Sequence, residues 1–88
     1  MSDRPVKLVY FAWVRERIGK AEELVTLPAH LATVEELLAW LGDRGGGYAE
    51  ALRVPQAIRV AIDHEHVGHA EKLGGATEIA LFPPMTGG

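Results

Sequence analysis

The chemistry this sequence can do is concentrated in its last eight residues, Leu-Phe-Pro-Pro-Met-Thr-Gly-Gly, numbers 81–88. Leu81 and Phe82 close a run of strand-forming residues. Pro83 and Pro84 have no N–H to give to a ladder, so pairing stops there. Each proline also drives the residue before it out of the helical region, which makes the exit extended and stiff. Residues 83–88 reach at most about 20 Å past a sheet at roughly 3.3–3.6 Å per residue. Gly87 and Gly88 have no side chains, so such an end can thread a channel that excludes anything bulkier. The α-carboxylate of Gly88 is the one reactive group at the tip. A carboxylate is a poor electrophile until it is activated, for instance as an acyl-adenylate. An activated glycyl carbonyl is then the least hindered available and can take up sulfur or form an amide. Two terminal glycines are a weak signal alone; a strand ending in Phe-Pro-Pro that leads straight into them is a narrower one.

The rest of the chain must hold that tail. Val6–Phe11 reads as a strand with Val6, Leu8 and Tyr10 on one face and Lys7, Val9 and Phe11 on the other, the face with Lys7 being the outer one. Residues 12–19 break the alternation and fit a helical turn or two stopped at Gly19. Glu22–Pro28 is a second strand, Val25 and Leu27 inward, ended by Pro28 and paired antiparallel with the first. The main helix opens on a capping box, Thr33 at the N-cap and Glu36 three residues on, and carries Val34, Leu37, Leu38 and Leu41 as one apolar stripe. Gly45–Gly47 lacks the Lys-Ser/Thr of a phosphate loop and reads as a flexible connection, with one helical turn near Tyr48–Leu52. Ile58–Val67 gives a strand, a turn near Asp63–His64 and a short return; Gly74–Gly75 turn into a last strand, Glu78–Phe82, with Ile79 and Leu81 on one face and Glu78, Ala80 and Phe82 on the other. One helix with one stripe covers one face of one small mixed sheet. The expected fold is therefore α+β, a β-grasp or ubiquitin-like sheet with the first and last strands central, spanning residues 1–82, followed by an extended tail at 83–88.

Composition narrows the function. The chain has 88 residues, 48% hydrophobic and 24% charged, which suits one folded domain. A net charge of −3 without a basic block argues against nucleic acid. There is no cysteine, hence no thiol nucleophile or thiolate metal site. The N-terminus has no signal-peptide pattern and no apolar run approaches a membrane span, so a cytoplasmic location is expected. His64, His66 and His69 read as exposed residues at a hairpin tip, with no metal site. Trp13 and Trp40 read as packing residues.

Residues 81–88 together with Val-Tyr-Phe-Ala-Trp-Val-Arg-Glu-Arg-Ile-Gly at 9–19 resemble the small, sulfur-carrying subunit of molybdopterin synthase. The likeness extends through most of the chain: Thr33–Leu41 resembles that family's main helix, Arg59–Asp63 the strand before its hairpin, and Leu73–Gly88 its closing turn, strand and tail. The resemblance implies that a ubiquitin-activating-like enzyme, using ATP and magnesium, adenylates Gly88. A sulfur donor enzyme would turn the adenylate into a thiocarboxylate. The tail, Pro83, Pro84, Met85, Thr86 and Gly87, would enter the large subunit and deliver sulfur to cyclic pyranopterin monophosphate, building the molybdopterin dithiolene. The catalytic pocket would belong to the large subunit, in a heterotetramer of two small and two large subunits, and this chain would bind no cofactor itself. A thiocarboxylate is ionised and softer than a carboxylate, so the carrier supplies a delivered nucleophile suited to a pocket lined with Lys or Arg. Phe11 and Phe82, both on the outer face beside the tail, would anchor the large subunit. Met85 would add a contact inside the channel, and Arg15 would pair with a partner carboxylate. Two departures stand out. The family's hairpin carries an Asn-Gly-like turn where this chain has Asp63–His64, and the 44–50 linker is richer in glycine.

Two other functions keep the same fold. A sulfur carrier of the thiamine pathway, or a ubiquitin-like protein modifier, also ends in Gly-Gly, although the thiamine carrier is usually shorter and lacks the double proline. A β-grasp interaction domain with an inert tail would be indifferent to the loss of Gly88.

Overall fold

The computed structural model describes residues 4–84. Five strands form one mixed sheet: β1 (Arg4–Tyr10), β2 (Glu22–Leu27), β3 (Arg59–Ile62), β4 (Glu65–Val67) and β5 (Glu78–Phe82), in the order β2-β1-β5-β3-β4. The first and last strands of the chain lie side by side and parallel, with Leu8 opposite Ile79 and Tyr10 opposite Leu81; every other pairing is antiparallel. This is the β-grasp arrangement expected from the order of elements.

The period-2 pattern decides which face is buried. Val6, Leu8, Tyr10, Val25, Leu27, Val60, Ile79 and Leu81 turn inward and are nearly inaccessible. Helix α2 (Val34–Gly42) lays Val34, Leu37, Leu38 and Leu41 on them, all four buried. Each such side chain contributes about 1.5–3 kcal/mol relative to exposure. The capping box forms: Thr33 Oγ1 accepts from Glu36 N–H, and Glu36 Oε1 accepts from the backbone N–H groups of Ala32 at 2.7 Å and Thr33 at 3.3 Å. The next free donors of the helix, Val34 and Glu35 N–H, reach the carbonyls of Glu71 and His69, so the 68–76 loop completes the cap.

The glycine triplet is not a flexible connection. Gly46–Ala51 forms helix α3, which packs against α1 (Ala12–Ile18). A Cβ on Gly47 would lie 2.2 Å from the Arg17 carbonyl oxygen and 3.0 Å from Ile18 Cα. Glycine is there because two backbones touch. Gly47→Ala is expected to destabilise the fold by about 2–4 kcal/mol, since backbone rather than a side chain must move. A chemical denaturation curve measures this.

A polar knot fastens the same corner. Glu23 Oε2 accepts from the Tyr10 hydroxyl at 2.7 Å and the Tyr48 hydroxyl at 2.6 Å, joining β1, β2 and α3. Its other oxygen faces Lys20 at 3.5 Å and Arg44 at 3.6 Å. Partial burial pushes the Glu23 carboxyl up, but the two phenols and two cations outweigh it and hold the group below the usual carboxylate range. A depressed carboxyl stabilises the fold above its unfolded pKa, about 4.3, and that contribution disappears as pH falls through the lower folded value. Glu23→Gln should cost about 1–2 kcal/mol near pH 7. The gap to wild type should close as pH falls below the ordinary carboxylate range and through the lower folded value, where the wild-type carboxyl protonates. Thermal melts across pH test both parts.

The β3–β4 hairpin has a two-residue loop in which Asp63 and His64 have φ of 48° and 74°. Two left-handed residues are what a type I′ turn needs, so Asp-His does the work of Asn-Gly. Asp63 does a second job that glycine, with no side-chain acceptor, would leave undone. Its Oδ1 accepts from Thr77 Oγ1 at 2.8 Å and from the N–H groups of Glu78 and Thr77 at 2.9 and 3.1 Å, clipping the turn to the start of β5. These bonds, Thr77's hydroxyl first, hold the Asp63 carboxyl below its ordinary range. Among the described residues no helix is long and apolar enough to cross a membrane.

Candidate tail-exit site

The site is the end of the sheet where β5 stops. Ile79 and Leu81 are completely buried, which locks β5 into the sheet centre up to its last residues. Phe82 ends the ladder opposite Arg59, and Pro83 and Pro84 follow outside it, both half-buried. The two prolines therefore end the strand where their chemistry requires.

Phe11 stands beside this exit. Its N–H donates to the Leu81 carbonyl at 3.1 Å, continuing the β1–β5 pairing by one bond. Its own carbonyl accepts from Val14 and Arg15 N–H and starts α1. The chain turns from strand to helix at Ala12, whose φ is 52°, a left-handed conformation that costs an L-residue about 1–2 kcal/mol. The abrupt turn leaves Phe11 48% exposed, a large aromatic held at the surface by a rigid junction. Helix α1 ends as expected at Gly19, which is left-handed at φ 93° and donates to the Arg15 carbonyl.

The outer sheet face continues from these aromatics. Val9, Ala80, Ala61 and His66 form one row across β1, β5, β3 and β4. The His66 ring lies 5.1 Å from the Phe82 ring, tilted by 58°. Arg59 flanks Phe82, while Lys7, paired with Glu22 at 3.5 Å, and Glu78, 3.8 Å from His64, form the next row. The result is a small apolar row, with Val9 and Ala80 half-buried and Ala61 buried beside them, rimmed by aromatics and charges. That is the make-up of a protein-docking patch.

The sequence profile described as the ThiS family matches residues 8–88. The chain belongs to the ThiS family. This ThiS-family chain is 31% identical over 83 residues to the molybdopterin synthase sulfur carrier subunit of Escherichia coli (strain K12), covering 94% of this chain and 99% of that one. A solved Pyrococcus furiosus structure assigned as molybdopterin converting factor subunit 1 superposes with a TM-score of 0.72 at 25% identity, covering 93% and 99% of the two chains. SAMP1 of Haloferax volcanii superposes with a TM-score of 0.68 at 27% identity, covering 96% and 99%.

The structure brings Phe11, Phe82, Pro83 and Pro84 of this ThiS-family protein to one corner, as the strand alternation predicts. Arg15 sits one helical turn into α1, exposed, with its backbone N–H on the Phe11 carbonyl. Met85, Thr86, Gly87 and Gly88 lie outside the described residues. The histidines are not all at a hairpin tip. His64 is in the turn, His66 lies tilted against the Phe82 ring, and His69 is half-buried in the following loop, its ring Nε2 2.7 Å from the Ile58 carbonyl. The expectation fails for His69 because a carbonyl left free at the start of β3 needs a donor. Sequence reasoning places Ala80 on the outer face and reads His66 only as a hairpin-tip histidine; it misses Ala61, although alternation on β3 puts that alanine on the outer face too. Trp13 and Trp40 pack against the core, each under an arginine: Arg17 lies 4.4 Å from the first ring and Arg44 4.9 Å from the second.

Proposed function

We propose that this chain is the sulfur-carrying small subunit of a molybdopterin synthase. The observation that carries the reading is the coupling of a rigid corner to the tail: the central strand β5 runs into Phe82-Pro83-Pro84 beside an exposed, fixed Phe11. A partner gripping that corner holds the tail's origin in a fixed place, and six residues of tail span about 20 Å from it. The membership of the ThiS family and the likeness to the named carrier of Escherichia coli point to the same role.

In this reading a carboxylate oxygen of Gly88 attacks the α-phosphorus of ATP on an activating enzyme, and pyrophosphate leaves. A sulfide equivalent from a donor enzyme then attacks the acyl carbon, and AMP leaves, giving the thiocarboxylate. Magnesium and ATP belong to the activating enzyme. The large synthase subunit holds cyclic pyranopterin monophosphate, two carriers serve a large-subunit dimer, and Gly87 and Gly88 pass through the entrance because they have no side chains. Phe11 and Phe82 fill apolar pockets on the partner, Arg15 meets one of its carboxylates, and Met85 packs inside the channel. Thiocarboxylated chain mixed with large subunit and cyclic pyranopterin monophosphate should yield the dithiolene, read by oxidation to its fluorescent derivative. Absence of product with a large subunit active on another carrier would contradict the assignment. The likeness to SAMP1 supports a second reading, a protein modifier. There the same activated glycine forms an amide with a lysine, and mass spectrometry of conjugates separates the two.

A further inference from the structure

Strand β2 is the longer of the sheet's two edges: it runs over Glu22–Leu27, against Glu65–Val67 for β4. It contains no proline and no bulge, because Pro28 comes only after it and its pairing with β1 runs unbroken from Arg4–Leu27 to Val9–Glu22. Such an edge offers its backbone to another strand unless something blocks it.

The phase of that offer is fixed. Tyr10 N–H donates to the Ala21 carbonyl at 2.8 Å, so Tyr10–Ala21 is a hydrogen-bonded pair. Such pairs alternate along an antiparallel ladder, so Glu23, Val25 and Leu27 also turn their N–H and C=O to β1. Glu22, Leu24 and Thr26 turn theirs outward. Leu24 is also 73% exposed, more than Phe11 or Val54, the other exposed large apolar side chains among the described residues.

We infer that β2 is a self-association edge, pairing antiparallel with β2 of a second copy about a two-fold axis through Leu24. In this register Leu24 meets Leu24 and Glu22 meets Thr26 of the other copy, so all the outward-facing backbone groups of β2 exchange hydrogen bonds. The two Leu24 side chains cover each other on the outer face. No like charges are opposed: Glu22, already paired with Lys7, faces Thr26, and Glu23, held by the two tyrosines, faces Val25. Neighbouring registers are worse. Slipping one step sets Glu23 against Glu23; slipping the other way sets Pro28, which has no N–H, against Glu22. The two copies of β1 run in opposite directions, so the tails leave at opposite ends of the joined sheet and neither exit is covered. The pairing is independent of the sulfur-carrier reading, and a contact of this size is weak and concentration-dependent.

Sedimentation velocity of the full chain, up to about 1 mM, should show a monomer–dimer equilibrium in the range expected for a small interface. Leu24→Glu or Leu24→Lys alone opposes like charges and should raise the dissociation constant about tenfold or more. An equimolar mixture of the two should recover a heterodimer. Thr26→Pro should also weaken the dimer while leaving the melting temperature nearly unchanged, since the N–H it removes faces outward. A wild-type chain that stays monomeric throughout, a Leu24→Glu chain that associates as well as wild type, or a mixture no better than either variant alone would each overturn the inference.

Discussion

A chain lacking Gly88 should fold and melt like the full one and deliver no detectable sulfur. The corner from which the tail leaves is complete by Phe82: Leu81 is buried, the Phe11 N–H is on its carbonyl, and α2 covers the inner face. A terminal glycine adds no buried side chain, so its removal costs the fold nothing. It does remove the group on which the chemistry is proposed to occur. The new terminus, Gly87, would still be a carboxylate, but one residue, about 3.3–3.6 Å, short of the reacting centre. Misplacement by even 1 Å costs on the order of 100-fold in a positioned reaction, so turnover should fall below detection. Gly87→Val keeps the length and adds a branched side chain where the proposed channel would admit only glycine. It should lose about 100-fold or more while leaving stability unchanged. Single-turnover assays with matched melting curves test both variants. Equal turnover by the shortened chain would mean that the tail is not the working part.

Replacing Phe11 with alanine should weaken binding to the large subunit by about 30-fold, the equivalent of about 2 kcal/mol for a buried aromatic anchor. Phe11 is nearly half exposed in the free protein, so removal of its side chain should shift the melting temperature little. The proposed anchor is already held: its N–H is bonded to β5, its carbonyl starts α1, and Ala12 is fixed in a left-handed turn, so little freedom would remain to be lost on docking. Phe82→Ala should weaken binding by a similar factor but also lower stability, because Phe82 is half-buried and its ring contacts His66. The double variant should lose less than the sum if both rings share one pocket, and titration calorimetry against the large subunit resolves this. A Phe11→Ala chain that binds normally would remove this corner from the docking surface.

Much of this could be read from residue order because the determinants are local. Alternation in 6–11 and 78–82 identifies the buried faces and leaves Phe11 and Phe82 outside. The Thr33–Glu36 box and the stripe to Leu41 define α2, and the two prolines end β5. What stayed hidden depends on contacts between distant residues. Gly47 is glycine because of the Arg17 carbonyl thirty positions earlier, and nothing within 45–47 reveals that. Glu23 looks like one more strand-edge charge until Tyr10 and Tyr48 close on it from different elements. His69 and its carbonyl partner Ile58 meet only once the loop before β3 and the loop after β4 are folded. The same holds for the row formed by Val9, Ala80, Ala61 and His66: each lies on the outer face by alternation, but only the strand order makes them neighbours.

The most direct test is the intact mass of the purified chain after incubation with ATP, magnesium, an adenylating enzyme of the ubiquitin-activating type and a sulfide source. The expected result is a mass gain equal to exchanging one oxygen for one sulfur, located at Gly88 by fragmentation. An unchanged mass, with an enzyme shown in parallel to be active on another carrier, would contradict a sulfur-carrying role.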